Sequence, residues 1–125
     1  MHCSMNLKKE LIKLKANKSS KQEDKRYLEL LYDKSVTYLD RQIVFTATIN
    51  YIDVFKYTAD FCYIKNGIKV AEEFKGYIFE RHDSILRIKI MSALFPDFEF
   101  RITKPTGLFR IYKEGKAVRF KKKAT

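Results

Sequence analysis

The sequence predicts an α/β fold of the α+β kind, in which helices pack on a mixed four-stranded sheet. A segment that begins near Ser20 has apolar residues at helical spacing, and alternating segments rich in β-branched and aromatic residues follow it. An Asn66-Gly67 pair joins two of these segments. The resulting order over residues 20–103 is αβββαβ. The last strand returns by a crossover helix, so we expect it to pair in parallel.

The composition is that of one globular domain with a strong positive charge. The chain has 125 residues, of which 46% are hydrophobic, and 26 Lys and Arg residues stand against 15 Asp and Glu residues, a formal charge of +11. This excess favours a polyanionic partner such as nucleic acid, although solubility alone explains it about as well. No apolar run approaches the ~20 residues of a membrane span. The N-terminus has no signal-like stretch, and Cys3 and Cys62 do not suggest a disulfide framework, so we expect a cytoplasmic protein.

The chain divides into a core and two basic extensions. Residues 1–18 read as a basic amphipathic N-terminal arm or helix, because lysines alternate with apolar residues from Leu7 to Leu14. Residues 19–104 form the predicted core. Residues 105–125 read as a hairpin that turns at Gly115 and ends in a basic tail.

The first core elements are a helix and a strand. The spacing Ser20-x-x-Glu23 is that of a capping box, and the helix is expected to end between Asp33 and Ser35. Its predicted apolar face consists of Tyr27, Leu28, Leu31 and Tyr32. Alternation over Arg41–Asn50 then predicts the first strand.

The hairpin that follows has a register that can be counted from its turn. An Asn-Gly pair favours a two-residue type I′ turn, which pairs Lys65 with Ile68. Counting outward pairs Phe61 with Glu72 and then sets Asp60 opposite Glu73. Like charges so placed repel. Side chains alternate along a strand, so Lys75 shares this face and Glu72 lies on the other.

The last core elements are the crossover helix and the fourth strand. Asp83 is placed to cap the helix, and Pro96 to end it. The predicted inward residues are Ile85, Ile88, Met91, Ala93, Leu94 and Phe95. Alternation from Phe98 to Thr103 predicts the strand.

Two opposed acids beside a lysine suggest metal chemistry. Hard cations such as Mg²⁺ take carboxylate oxygens and retain several waters, so Asp60 and Glu73 meet their needs with an open side for substrate. A divalent ion can activate water and neutralise a phosphodiester, and Lys75 can orient that water. A solvated strand lysine is the ordinary alternative.

Several segments, in order, resemble the PD-(D/E)xK nuclease superfamily. They are Tyr57-Thr-Ala-Asp60-Phe61, Glu73-Phe-Lys75-Gly76 and the segment from Phe95 to Ile102. Within the superfamily, the chain resembles phage-type endonucleases similar to junction-resolving endonuclease I. Ala59 stands where proline is common, which is a frequent substitution.

The resemblance implies a restriction-endonuclease-like αβββαβ core with one or two Mg²⁺ or Mn²⁺ ions. Asp60, Glu73 and the main-chain carbonyl of Phe74 would be metal ligands, with Lys75 as the catalytic lysine. It also implies a helix glutamate near the metals, which is Glu23 or another residue such as Glu29. The alternative is that Glu23 is only a capping-box residue.

The function that follows from the resemblance is metal-dependent cleavage of DNA with 5′-phosphate ends. The expected substrate is branched DNA, such as a Holliday junction made in phage replication or recombination, cut by a homodimer. A site-specific nicking or homing-type endonuclease and a non-catalytic basic nucleic-acid-binding module remain alternatives. Candidate DNA contacts are Lys21, Gln42, Arg81, Arg87 and Lys89.

Overall fold

The computed structural model describes residues 21–75 and 82–120, except the side chains of residues 82 and 83. The predicted N-terminal arm, the basic tail and Arg81 lie outside these residues. The elements, in order, are α1 (Lys21–Tyr32), β1 (Val36–Ile49), β2 (Ile52–Lys65), β3 (Ile68–Phe74), α2 (His82–Leu94), β4 (Phe98–Lys104), β5 (Gly107–Lys113) and β6 (Lys116–Val118). No helix in these ranges is long and apolar enough to cross a membrane.

The strands form one mixed sheet in the order β1-β2-β3-β4-β5-β6. Strands β3 and β4 are parallel, as the crossover helix predicts, and the other neighbours are antiparallel. The α+β class is therefore confirmed, but the four-stranded sheet is wrong. The C-terminal hairpin extends the sheet, because β5 pairs with the other edge of β4 instead of standing apart. Strand β1 also begins at Val36 rather than Arg41.

The hairpin register is confirmed for five pairs, but the expected sixth pair, Asp60 with Glu73, is not part of the ladder. Lys65 lies opposite Ile68, and the ladder continues to Phe61 opposite Glu72. Asn66 and Gly67 have φ angles of 51° and 82°. Positive φ at both central residues is the requirement of a type I′ turn.

A hydrophobic core lies on each face of the sheet. The first core packs under α1 and consists of Tyr27, Leu30, Phe61, Tyr63, Val70 and Phe74. The second packs under α2 and consists of Phe45, Ala47, Tyr57, Ala59, Ala71, Ile88, Met91, Phe100, Ile102 and Tyr112. Phe45 is the centre of three edge-to-face ring contacts in the second core, with centroids 5.1–5.5 Å apart.

The predicted inner faces of the helices need correction at their ends. Tyr32 is 67% exposed, and Leu30 is buried in its place. In α2, Ala93 and Leu94 are exposed, whereas Ser92 is buried. The Ser92 hydroxyl donates to the Lys89 carbonyl and accepts from the backbone N–H of Gly115 in the β5–β6 turn. The packed face of α2 therefore meets a polar turn, which apolar periodicity does not reveal.

Strands β1 and β2 change cores at the level of Gln42 and Asp60. Strict alternation would keep Ala59 and Phe61 on one face. However, Ala59 lies in the α2 core and Phe61 in the α1 core. Across the ladder, Gln42 has a left-handed φ of 54°. The long hairpin therefore exchanges its two faces at this bend, and Asp60 lies between the residues of the two cores.

Candidate active site

Asp60 occupies the bend of β2, where the β2–β3 ladder has just ended. Its Oδ2 accepts the backbone N–H of Phe74 at 2.8 Å, and its Oδ1 lies 3.4 Å from Gln42 Nε2. Burial, together with the negative charges of Glu23 and Glu73, outweighs the opposing hydrogen bond from the Phe74 N–H and raises the pKa of Asp60 to about 6. Three carboxylates thus interact at this point.

Glu73 faces the same site from the end of β3. Tyr57 donates its hydroxyl to Glu73 Oε1 at 3.0 Å, and Lys75 Nζ lies 3.0 Å from Oε2. Oε2 is buried and has this ion pair, but no described residue gives it a hydrogen bond of good geometry. Burial and the neighbouring Glu73 charge raise the pKa of Tyr57 well above its usual value, so Tyr57 remains a donor.

Glu23 approaches from α1 and is held by an arginine. Arg41 Nη2 lies 3.0 Å from Glu23 Oε2 and 3.6 Å from Asp24 Oδ1. The same guanidinium lies 4.8 Å from the Tyr27 ring centroid and 5.5 Å from that of Phe61. The partner capping residue, at position 20, lies outside the described residues. The helix thus brings Glu23 toward Asp60 with its charge already balanced.

Glu72 lies on the opposite face of β3, as the register predicts. It is fully buried and accepts hydrogen bonds from Arg26 Nε (2.7 Å), Arg26 Nη2 (2.8 Å), Tyr63 Oη (2.5 Å) and Thr103 Oγ1 (2.7 Å). Burial alone would raise the pKa of Glu72, but the Arg26 contacts bring it below its usual value. Glu29, the other helix glutamate considered, contacts Arg26 at 3.4 Å and is exposed.

The site fits a divalent cation in part. No group of three or more His, Cys, Asp or Glu side chains among residues 21–75 and 84–120 is arranged to hold a metal ion. Asp60 and Glu73 nevertheless offer hard carboxylate oxygens, and Glu73 Oε2 is a buried oxygen without a hydrogen bond. The Phe74 N–H points to Asp60, so the carbonyl of this strand residue lies on the same side. Two carboxylates and one carbonyl thus suit Mg²⁺ or Mn²⁺ with retained waters.

The proposed DNA-contacting side chains are only partly grouped with the site. Gln42 contacts Asp60 directly, whereas Lys21 and Lys89 are exposed on their helices. Arg87 is also exposed, and its guanidinium lies 5.7 Å from the Phe55 ring centroid.

Two site residues had no role assigned from the sequence. Tyr57 stands within the motif around Asp60, but strict alternation places it on the other face, so its contact with Glu73 was not expected. Arg41 was only the start of a predicted strand. The residue type of Arg41 was the one available signal, because arginine forms strong ion pairs with partly buried carboxylates.

A thiol near the site has an ordinary packing role. Cys62 packs against the α2 core, and burial raises its pKa to about 12. A thiol with such a pKa is a poor metal ligand or nucleophile at neutral pH.

Comparison with known proteins adds no family assignment. No protein-family model, curated protein or solved structure matches the chain. The functional inference therefore depends on the residues of the site and on the resemblance described from the sequence.

Proposed function

We propose that the chain is a metal-dependent DNA endonuclease that hydrolyses phosphodiester bonds. The observation that carries this proposal is the convergence of Asp60, Glu73 and Lys75 at the end of β3. Two carboxylates and a lysine meet there, and within residues 21–75 and 84–120 the partly buried Asp60 carboxylate has no ion pair. The formal charge of +11 supports a polyanionic substrate.

Asp60, Glu73 and the Phe74 carbonyl would hold the Mg²⁺ or Mn²⁺. When bound, the ion would supply an activated water and neutralise charge on the phosphate. Tyr57 fixes one oxygen of Glu73 by donating to it, which orients the carboxylate. Lys75 has its ammonium at the other oxygen, from which it can orient a water and stabilise negative charge on the phosphate.

The expected substrate is branched DNA, and the expected assembly is a homodimer, because symmetric cutting of a junction needs two sites. The test incubates labelled linear, flap and four-way DNA with the wild-type protein, with and without Mg²⁺. Cleavage of the four-way DNA in preference to linear duplex supports the proposal. Equal cleavage of all three DNAs would support the nuclease activity and refute the preference for branched DNA.

A matched pair of variants tests the site itself. Glu73→Gln should abolish cleavage. Glu99→Gln is the control, because Glu99 is also a carboxylate of the central strands, is 18% exposed against 15% for Glu73, and pairs with a cation at 2.8 Å. The control should cut at the wild-type rate. Equal activity of Glu73→Gln and wild type would refute the assigned site.

A non-catalytic DNA-binding module is the second candidate, favoured by one observation. In the described residues each carboxylate of the site already has a protein partner: Arg41 for Glu23, the Phe74 N–H for Asp60, and Tyr57 for Glu73. This candidate predicts DNA binding without cleavage under any metal condition.

A further inference from the structure

A basic cleft continues from the candidate active site toward the β4–β5 hairpin. Its volume is about 20 Å³, and its lining includes Glu73 and Lys75 on one side and Lys104, Phe109 and Arg110 on the other. This is room for about one water, so the cleft does not enclose a ligand. Its mouth, however, is bordered by three cations within reach of one polyanionic strand.

An aromatic ring holds two of these cations. Lys104 Nζ lies 3.4 Å from the centroid of the Phe109 ring, and the Arg110 guanidinium carbon lies 5.0 Å from it. A ring attracts a cation without cancelling its charge, unlike a carboxylate. No carboxylate in the described part of the chain forms an ion pair with Lys104. The Phe109 ring therefore positions the Lys104 ammonium, which can still bind an external anion.

Lys104 also borders a second cleft, on the α1 side of the sheet. This cleft has a volume of about 90 Å³, and Lys25 and Phe74 are among its lining residues. The two clefts meet at Lys104, next to the end of β3. Lys104 lines both clefts, whereas Arg110 lines only the first and Lys25 only the second.

We propose that Lys104 and Arg110 bind a phosphodiester of DNA next to the one that is cut, with Phe109 as the positioning residue that holds both cations. This inference rests on the proposed function and adds to it the group that aligns the strand. Contacts of Lys and Arg with phosphate oxygens are charge-assisted and set the position of the backbone without reading sequence. The Lys104 ammonium can move from the Phe109 ring to a phosphate oxygen and still border the cleft.

The test measures DNA affinity of the full chain at several salt concentrations in EDTA, with a fluorescent duplex and a four-way junction. The logarithm of the affinity falls linearly with the logarithm of the salt concentration, with a slope of about −0.9 for each phosphate contact. Lys104→Gln and Arg110→Gln should each make this slope shallower by about 0.9. Phe109→Leu keeps both charges, so it should leave the slope unchanged and weaken binding by about 2- to 5-fold.

Lys69→Gln is the matched control. Lys69 is also a lysine over an aromatic ring, 5.8 Å from the Phe98 centroid, but it lies at the opposite end of β3 and does not line the cleft. It should leave the slope at the wild-type value. A slope reduced as much as in Lys104→Gln would overturn the inference, because net charge alone would then explain binding.

The outcomes separate this inference from the proposed function. Wild-type slopes in both charge variants, together with wild-type cleavage of DNA, overturn the phosphate site and leave the nuclease intact. A wild-type protein that neither binds nor cuts DNA overturns both. Should Phe109→Leu fail to fold by circular dichroism, the two charge variants decide the inference without it.

Discussion

Replacing Asp60 by asparagine should stabilise the metal-free protein at pH 8. The Asp60 carboxylate is partly buried near two other carboxylates, and its pKa is about 6 compared with the ordinary value of 3.8. Asparagine removes the charge and keeps an oxygen that can accept the Phe74 N–H. The variant is expected to lose cleavage but gain stability, as happens where a functional site carries strain.

The magnitude follows from the pKa difference. A rise of about 2 pKa units corresponds to about 3 kcal/mol of penalty on the charged form in the folded state. Because the folded-state pKa lies above the unfolded value, the folded protein binds more protons between about pH 4 and pH 6. Wild-type stability therefore decreases as pH rises through this range, and the full penalty is present at pH 8. The stability gain of Asp60→Asn should reach about 3 kcal/mol there and shrink toward zero below pH 4.

Urea denaturation in EDTA at pH 8 and pH 4 measures this effect. Asp33→Asn is the control with the opposite sign, because hydrogen bonds from the Ser35 hydroxyl and N–H lower the pKa of Asp33 to about 2. It should destabilise the protein at pH 8. Mg²⁺ should raise the stability of the wild type and not that of Asp60→Asn. An Asp60→Asn protein less stable than wild type at pH 8, with no change in the gap at pH 4, would refute the reasoning.

Three other variants test the surrounding contacts. Lys75→Met should slow single-turnover cleavage by about 10²- to 10⁴-fold, with DNA affinity nearly unchanged, and an unchanged rate would remove its catalytic role. Glu72→Leu should cost about 3–5 kcal/mol in urea denaturation because Arg26 loses its buried partner and keeps only the exposed Glu29. The double variant with Arg26→Met should recover most of this loss, and an additive loss would contradict the pairing. Arg41→Met should cost about 2 kcal/mol, because Glu23 loses a charge-assisted hydrogen bond, and a melting curve equal to that of the wild type would show that this contact is dispensable.

The hairpin register was predictable because a single local signal determines it. The Asn66-Gly67 turn requires positive φ at two successive positions, and few other dipeptides adopt this. Once the turn is known, alternation places Glu72 and Glu73 on opposite faces without further information. Counting residues from the turn was therefore enough to distinguish Glu72, which is buried and paired, from Glu73, which faces the site.

The bend at Gln42 was not predictable in the same way. Nothing in a glutamine within an alternating segment indicates a left-handed φ, since most residues other than glycine avoid this region. The bend moves Tyr57 to the face of Glu73, and it sets Asp60 between the two cores. Here tertiary packing against α2 overrides the local period.

The size of the sheet also depends on long-range pairing. The segment of β5 and β6 was correctly expected to form a hairpin that turns at Gly115. The alternation of apolar residues in β5 does not indicate which strand β5 pairs with. The structure shows that it pairs with β4, with Tyr112 opposite Phe100. Local patterns identify strands more readily than they identify neighbours.

The adjacency of Glu72 and Glu73 makes the length of the Asn66-Gly67 turn matter for chemistry. A shift of β3 by one residue would exchange the faces of all its side chains. Glu73 would then point toward Arg26, and Glu72 would point toward the carboxylates of the other face. One glutamate would meet Arg26 in either alignment, so the local charges alone distinguish the two alignments poorly. The apolar neighbours decide, because the shifted strand would remove Val70 and Phe74 from the α1 core. A residue added to this solvent-exposed turn would therefore silence the site at the far end of the strand only where it shifted β3 against the preference of the α1 core.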